Sequence, residues 1–102
     1  MWRKINQESE KLYLNCVYKN LTITTAESCT GGMISSAIVH INGSSQIFKS
    51  SVIVYSNDMK SKLLNIPNDL IMKNGAVSEI VAFHMAKNSL KLSTKIREIF
   101  DI

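Results

Sequence analysis

Serines, a tyrosine and a lysine stand close together near the middle of this 102-residue chain. Ser44 and Ser45 follow Gly43 in a turn, Tyr55 ends an apolar run, and Lys60 lies in the first turn of the helix expected after it. A serine hydroxyl attacks a carbonyl only with help from a base, and a lysine gives that help through its neutral amine. The positive end of a helix dipole is an adverse place for an ammonium, and partial burial acts the same way. The spacing would let a serine, a lysine and a tyrosine converge at one sheet edge. The same residues also read as two turn formers, a strand aromatic and a solvated cation.

A second group is Glu27-Ser28-Cys29-Thr30-Gly31-Gly32. It falls between an expected strand and an expected helix, where free backbone N–H groups and the helix dipole favour an anion and glycine lets the backbone come close. Ser28, Thr30, Gly31 and Gly32 are the candidates for phosphate or ribose contact. Neither GxxxxGK[ST] nor GxGxxG is present, and a capped helix start with a tight glycine turn accounts for the same residues. Cys29 reads as a small buried thiol, since no cysteine and histidine arrangement supports a nucleophile. His40 and His84 are far apart with no second ligand at metal spacing, so no metal site and no cofactor are expected. Met33, Met72, Phe83 and Met85 read as packing material.

These residues need elements to hold them. Residues 2–19 set Trp2, Ile5, Leu12, Tyr13 and Cys16 near helical spacing, predicting an amphipathic helix with one face on a sheet. Residues 21–26, LTITTA, are short and β-branched, as a strand requires. Residues 32–40 return to helical spacing, and SSVIVYS at 50–56 reads as a second strand buried on both faces. Two strands joined through a helix imply a parallel pair. Asn57 is placed to cap a helix reaching Leu64, Pro67 to open another to about Met72, and Gly75 to end it in the left-handed region. Ser78 caps the longest helix, over 79–99. It carries Ile80, Val81, Met85, Leu92, Ile96 and Ile99 on one side, with Lys87, Lys91 and Lys95 as a solvated row. A short third strand at Ala76-Val77 would enlarge the sheet. The fold class is α/β: a three-layer α/β/α arrangement with a small, mainly parallel sheet, incomplete at its C-terminal end.

Composition limits the remaining choices. Hydrophobic residues make up 45% of the chain and charged residues 20%, with one proline and four glycines, which excludes disordered and low-complexity classes. The net charge of +4 is spread evenly, with no basic stripe of the kind a nucleic-acid surface needs. Cys16 and Cys29 form no CxxC pair, excluding a disulfide scaffold. The polar N-terminus and the lack of a long apolar run predict a cytoplasmic chain without a membrane span.

Taken together, TTAESCTGG at 24–32, GSS at 43–45, VYSNDMK at 54–60 and GAVSE at 75–79 resemble the CinA C-terminal domain family, which includes nicotinamide mononucleotide deamidases. The resemblance runs from about Leu12 to Leu90. It implies hydrolysis of a nicotinamide carboxamide, giving nicotinic acid mononucleotide and ammonia, with a pyridine nucleotide as the small-molecule partner. By the same resemblance Ser45 is the nucleophile, Lys60 the general base and Tyr55 the assisting residue. Two departures stand out: Ser50-Ser51 where the family has glycine before the second strand, and no GIAGP-like or KPVG-like segment after Leu92. The family domain continues for roughly another third, so the resemblance reads as one to a truncated domain. A homo-oligomer or a complementing chain is expected to cover the unfinished sheet. A noncatalytic binding or interaction module is the alternative function, and a product of a split or decayed gene a third.

Overall fold

The computed structural model describes residues 1–100, with side chains through residue 93. In chain order the elements are α1 (Trp2–Lys19), β1 (Ile23–Glu27), α2 (Met33–Val39), a 3-10 turn (Ser44–Gln46), β2 (Phe48–Ile53), α3 (Asn57–Leu64), α4 (Asn68–Asn74) and α5 (Glu79–Phe100). Most boundaries follow local chemistry. Helix α1 stops at Asn20, which takes the left-handed conformation at φ 56° and passes its N–H to the Val17 carbonyl. Helix α4 stops at Gly75, φ 87°, and the Ser78 hydroxyl accepts the Val81 N–H at 3.4 Å to start α5.

Strands β1 and β2 pair in parallel, with Thr25 opposite Ser51, Ala26 opposite Val52 and Glu27 opposite Ile53. Helix α2 is the crossover and lies on one face, while α5 crosses the other, so the sheet is the middle of three layers. On the α5 side, Ala26 and Val52 meet a core of Val54, Leu64, Ile66, Ile71, Val81 and Met85. A second core joins Cys16, Ile38 and Ile47, with Tyr13, Ile23 and Phe48 around it. Gly43, exposed in the turn before β2, comes close to Tyr13 at the edge of this second core. Its φ is 84°, and a Cβ there would sit 2.6 Å from the Tyr13 hydroxyl, so a side chain would push Tyr13 aside and strain the backbone of the turn carrying Ser44 and Ser45.

The structure corrects several expectations. Ala76 and Val77 form no strand; Val77 is 88% exposed in a bend before α5. Strand β2 lies two to three residues earlier than expected and is not buried on both faces, since Lys49 and Ile53 are exposed. Helix α1 packs chiefly on α2, and meets the sheet at its start, where Cys16 and Tyr13 join the core that holds Ile23 and Phe48. The cap of α3 is Ser56, whose hydroxyl accepts the Met59 N–H at 3.1 Å, because Asn57 is already helical. Met33, Met72 and Phe83 are exposed, and only Met85 of the residues read as packing material is in the core. Lys87 and Lys91 are exposed as expected, while the side chains of Lys95, Ile96 and Ile99 lie outside the described residues.

Candidate active site at the sheet ends

The loop after β1 is organised by a carboxylate. Glu27, the last residue of β1, is 2% exposed. Its Oε1 accepts the Thr30 hydroxyl at 2.8 Å and the N–H groups of Gly32 at 3.1 Å and Ile34 at 2.9 Å. Its Oε2 accepts the Ser35 N–H at 3.0 Å and the Ser35 hydroxyl. The N–H groups that begin α2 are thus spent on an internal anion. Gly32 allows this close approach: its φ is 104°, and a Cβ there would meet Ile53 Cδ1 at 3.1 Å. Burial pushes the Glu27 carboxyl up, but hydrogen bonds from the Ser35 hydroxyl, the Ile34 and Ser35 amides and Thr30 outweigh it and hold it at about 2.

Three of the four residues expected at a phosphate or ribose, Ser28, Thr30, Gly31 and Gly32, have donors engaged within the loop. Thr30 and Gly32 donate to Glu27, and the Gly31 N–H goes to the Ser28 carbonyl at 3.0 Å. Glu27 therefore organises the end of this loop and the first turn of α2. Cys29, expected to be buried, is exposed on this loop; Cys16 is the buried thiol. The residue that sequence reasoning passed over was Glu27. Its signal was a carboxylate at a strand end, immediately before hydroxyls and two glycines.

A hydroxyl layer continues from Glu27 along the same face of the sheet. Thr25 Oγ1 and Ser35 Oγ lie 2.9 and 2.7 Å from Ser51 Oγ, and 3.1 Å from each other. On the opposite face Thr24 Oγ1 reaches the Ser50 carbonyl at 2.7 Å and the Ser50 hydroxyl at 2.6 Å. Ser50-Ser51 thus tie the two strands through side chains as well as backbone.

Ser45, Tyr55 and Lys60 stand at the two ends of β2. Ser45 is exposed in the 3-10 turn before the strand, beside Ser44, whose hydroxyl donates to the Val39 carbonyl at 3.2 Å. Tyr55 is 78% exposed, two residues past the strand. Lys60 is 3% exposed on α3, with its N–H donated to the Ser56 carbonyl at 3.0 Å. The strand is pinned at both ends, by Ile23 N–H to the Ile47 carbonyl and by Val54 N–H to the Glu27 carbonyl. At ~3.3 Å per residue, the stretch between these pins is roughly 23 Å. In one chain Tyr55 and Lys60 therefore both follow the C-terminal end of β2, and Ser45 precedes its other end.

The CinA C-terminal domain model matches residues 5–95. A CinA-like protein of Prochlorococcus marinus strain MIT 9312 is 56% identical over 70 residues, which is 69% of this chain. The chain belongs to the CinA C-terminal domain family. A CinA-like protein of Colwellia psychrerythraea is 52% identical over 75 residues, 74% of this chain. These stretches are 16% and 17% of the two relatives' own lengths. Among solved structures, competence/damage inducible protein CihA from Agrobacterium tumefaciens superposes with a TM-score of 0.79 at 33% identity. The match covers 85% of this chain and 53% of that one. A CinA superfamily protein from Escherichia coli gives a TM-score of 0.81 at 29% identity, over 85% of this chain and 51% of that one. The chain thus spans about half the length of the solved relatives it matches.

One cleft reaches the loop after β1 at Thr30. This cleft, about 520 Å³, lies between α1 and α2 and is lined mainly by apolar residues such as Trp2, Ile5, Leu12, Met33 and Ile34. Among the described residues no group of three or more histidine, cysteine, aspartate or glutamate side chains is placed to hold a metal ion. No helix among them is long and apolar enough to cross a membrane.

Proposed function

We propose that this CinA domain serves an amidohydrolase acting on a nicotinamide nucleotide, converting nicotinamide mononucleotide to nicotinic acid mononucleotide and ammonia. Ser45 Oγ attacks the carboxamide carbon as Lys60 takes its proton. The C–N bond then breaks, the proton passes to the leaving nitrogen, and ammonia departs from an ester on Ser45. Water hydrolyses that ester to the carboxylic acid and restores the hydroxyl. Tyr55, at the same strand end as Lys60, assists the proton transfer, and backbone N–H groups hold the oxyanion. Ser28 is the residue of the β1–α2 loop left to meet the nucleotide, because Glu27 occupies Thr30 and Gly32.

The observation that carries this reading is the burial of Lys60. A lysine is almost never buried to this extent without a partner, yet this one is 3% exposed and makes no ion pair among the described residues; its stem is buried while its amine is not a buried atom left without a partner. The test is ammonia release from nicotinamide mononucleotide by the purified protein. Ser45→Ala and Lys60→Ala are each expected to lower kcat by about 100-fold or more. Absence of turnover at high protein concentration rejects the reading, and calorimetric binding without hydrolysis would assign a noncatalytic nucleotide-binding role.

A further inference from the structure

We infer that the catalytic pair is completed between two copies of this chain, Ser45 of one meeting Tyr55 and Lys60 of the other across their β2 edges. The inference rests on the amidohydrolase reading for the roles of these residues, but its geometry is independent of it. Within one chain, roughly 23 Å of pinned strand separates the backbone before β2 from the backbone after it. A lysine side chain, about 6 Å long when extended, does not close that gap.

A second copy closes it. The sheet of the described residues has two strands, so β2 has one edge paired with β1 and the other unpaired. Identical edges related by a two-fold axis normal to the sheet pair antiparallel, which sets the start of one strand beside the end of its mate. Full overlap of the two strands puts Phe48 opposite Ile53. Three residues further out, Ser45 then falls opposite Ser56 of the second copy, next to Tyr55. Lys60 is one helical turn above Ser56, to whose carbonyl its N–H is bonded. In this register Lys49, the charged residue of β2, faces Val52 and not its own copy, so no like-charge contact opposes the pairing. Exposed Ile53 and Tyr55 gain cover from the same contact.

Mixing two inactive variants tests the arrangement. Ser45→Ala and Lys60→Met, the latter keeping the buried volume, are unfolded together and refolded at equal concentration. A site shared across a two-fold restores about one quarter of wild-type turnover, because half the dimers are mixed and each mixed dimer holds one intact site. Active wild type with no recovery on mixing overturns the shared site and leaves the amidohydrolase reading standing. A second readout does not depend on activity. In a Cys29→Ser background, Ser45→Cys chains mixed with Tyr55→Cys chains should form a covalent dimer with a short bis-maleimide, whereas neither variant alone should. Cross-linking with an inactive wild type keeps the shared geometry and rejects the amidase; absence of the mixed cross-link overturns the inference.

Discussion

The two faces of the sheet are built from different chemistry. Towards α5, Ala26 and Val52 sit against Leu64, Val81 and Met85 in apolar contact, with the Thr24 and Ser50 hydroxyl pair beside them on the same face. Towards α2, the next residues along the same strands, Thr25, Ser51 and Glu27, form a hydroxyl and carboxylate layer with Ser35 and Thr30. Strand alternation puts these two sets on opposite faces. The contrast separates tasks: an apolar face tolerates small shifts, whereas five donors converging on one carboxylate fix the loop and the start of α2 in one arrangement.

The sharpest way to break the comparison is to remove the centre of each face. Leu64→Ala, at a fully buried site, should cost about 3 kcal/mol by lost transfer and cavity formation. Glu27→Ala should cost more, about 3 to 5 kcal/mol, since each buried donor it strands carries its own desolvation penalty. Either is a large part of the ~5 to 15 kcal/mol of a typical domain. Urea unfolding followed by circular dichroism ranks them. Equal or smaller loss in Glu27→Ala would mean that water or a neighbouring group satisfies the α2 amides.

Acid should act on one face only. Glu27 binds its proton at about 2 in the folded chain against an ordinary 4.5, so the unfolded chain holds more protons between those values. The stability this supplies is complete above pH 4.5 and drains as pH falls towards 2, by about 3 kcal/mol in all. Stability measured from pH 6 to pH 2.5 should slope downward in the wild type below about pH 4.5. Glu27→Gln should remove most of that slope from a lower starting value, and Leu64→Ala should lower the curve while keeping its shape. A slope unchanged in Glu27→Gln would move the acid sensitivity to other carboxylates.

Residues acting through their immediate neighbours were legible in the sequence. Gly75 ends α4 and Ser78 caps α5 because both effects are local to a single turn. The parallel pair followed from two β-branched runs joined by a helix. What escaped was convergence at a distance. Glu27 reads as the polar start of a loop until the donors of residues 30 to 35 are seen to fold back on it. Ser45 and Lys60 look adjacent in sequence because a string of letters does not show that a six-residue extended strand lies between them. The four sequence blocks pointed to the CinA family, and that kinship did not depend on either geometry.

The smallest expected effect distinguishes a layer that is rigid throughout from one that depends on Glu27 alone. Ser51→Ala removes the hydroxyl that lies near both Thr25 and Ser35. Both neighbours keep another partner: Ser35 still donates to Glu27, and Thr25 still reaches Ser35 at 3.1 Å. The loss should therefore be about 1 kcal/mol, one ordinary hydrogen bond, with no buried group stranded. The acid slope should persist, since the carboxylate keeps all five donors. A cost near that of Glu27→Ala, with the slope flattened, would show that Ser51 holds Ser35 in place against the carboxylate, making the whole α2 face one cooperative network.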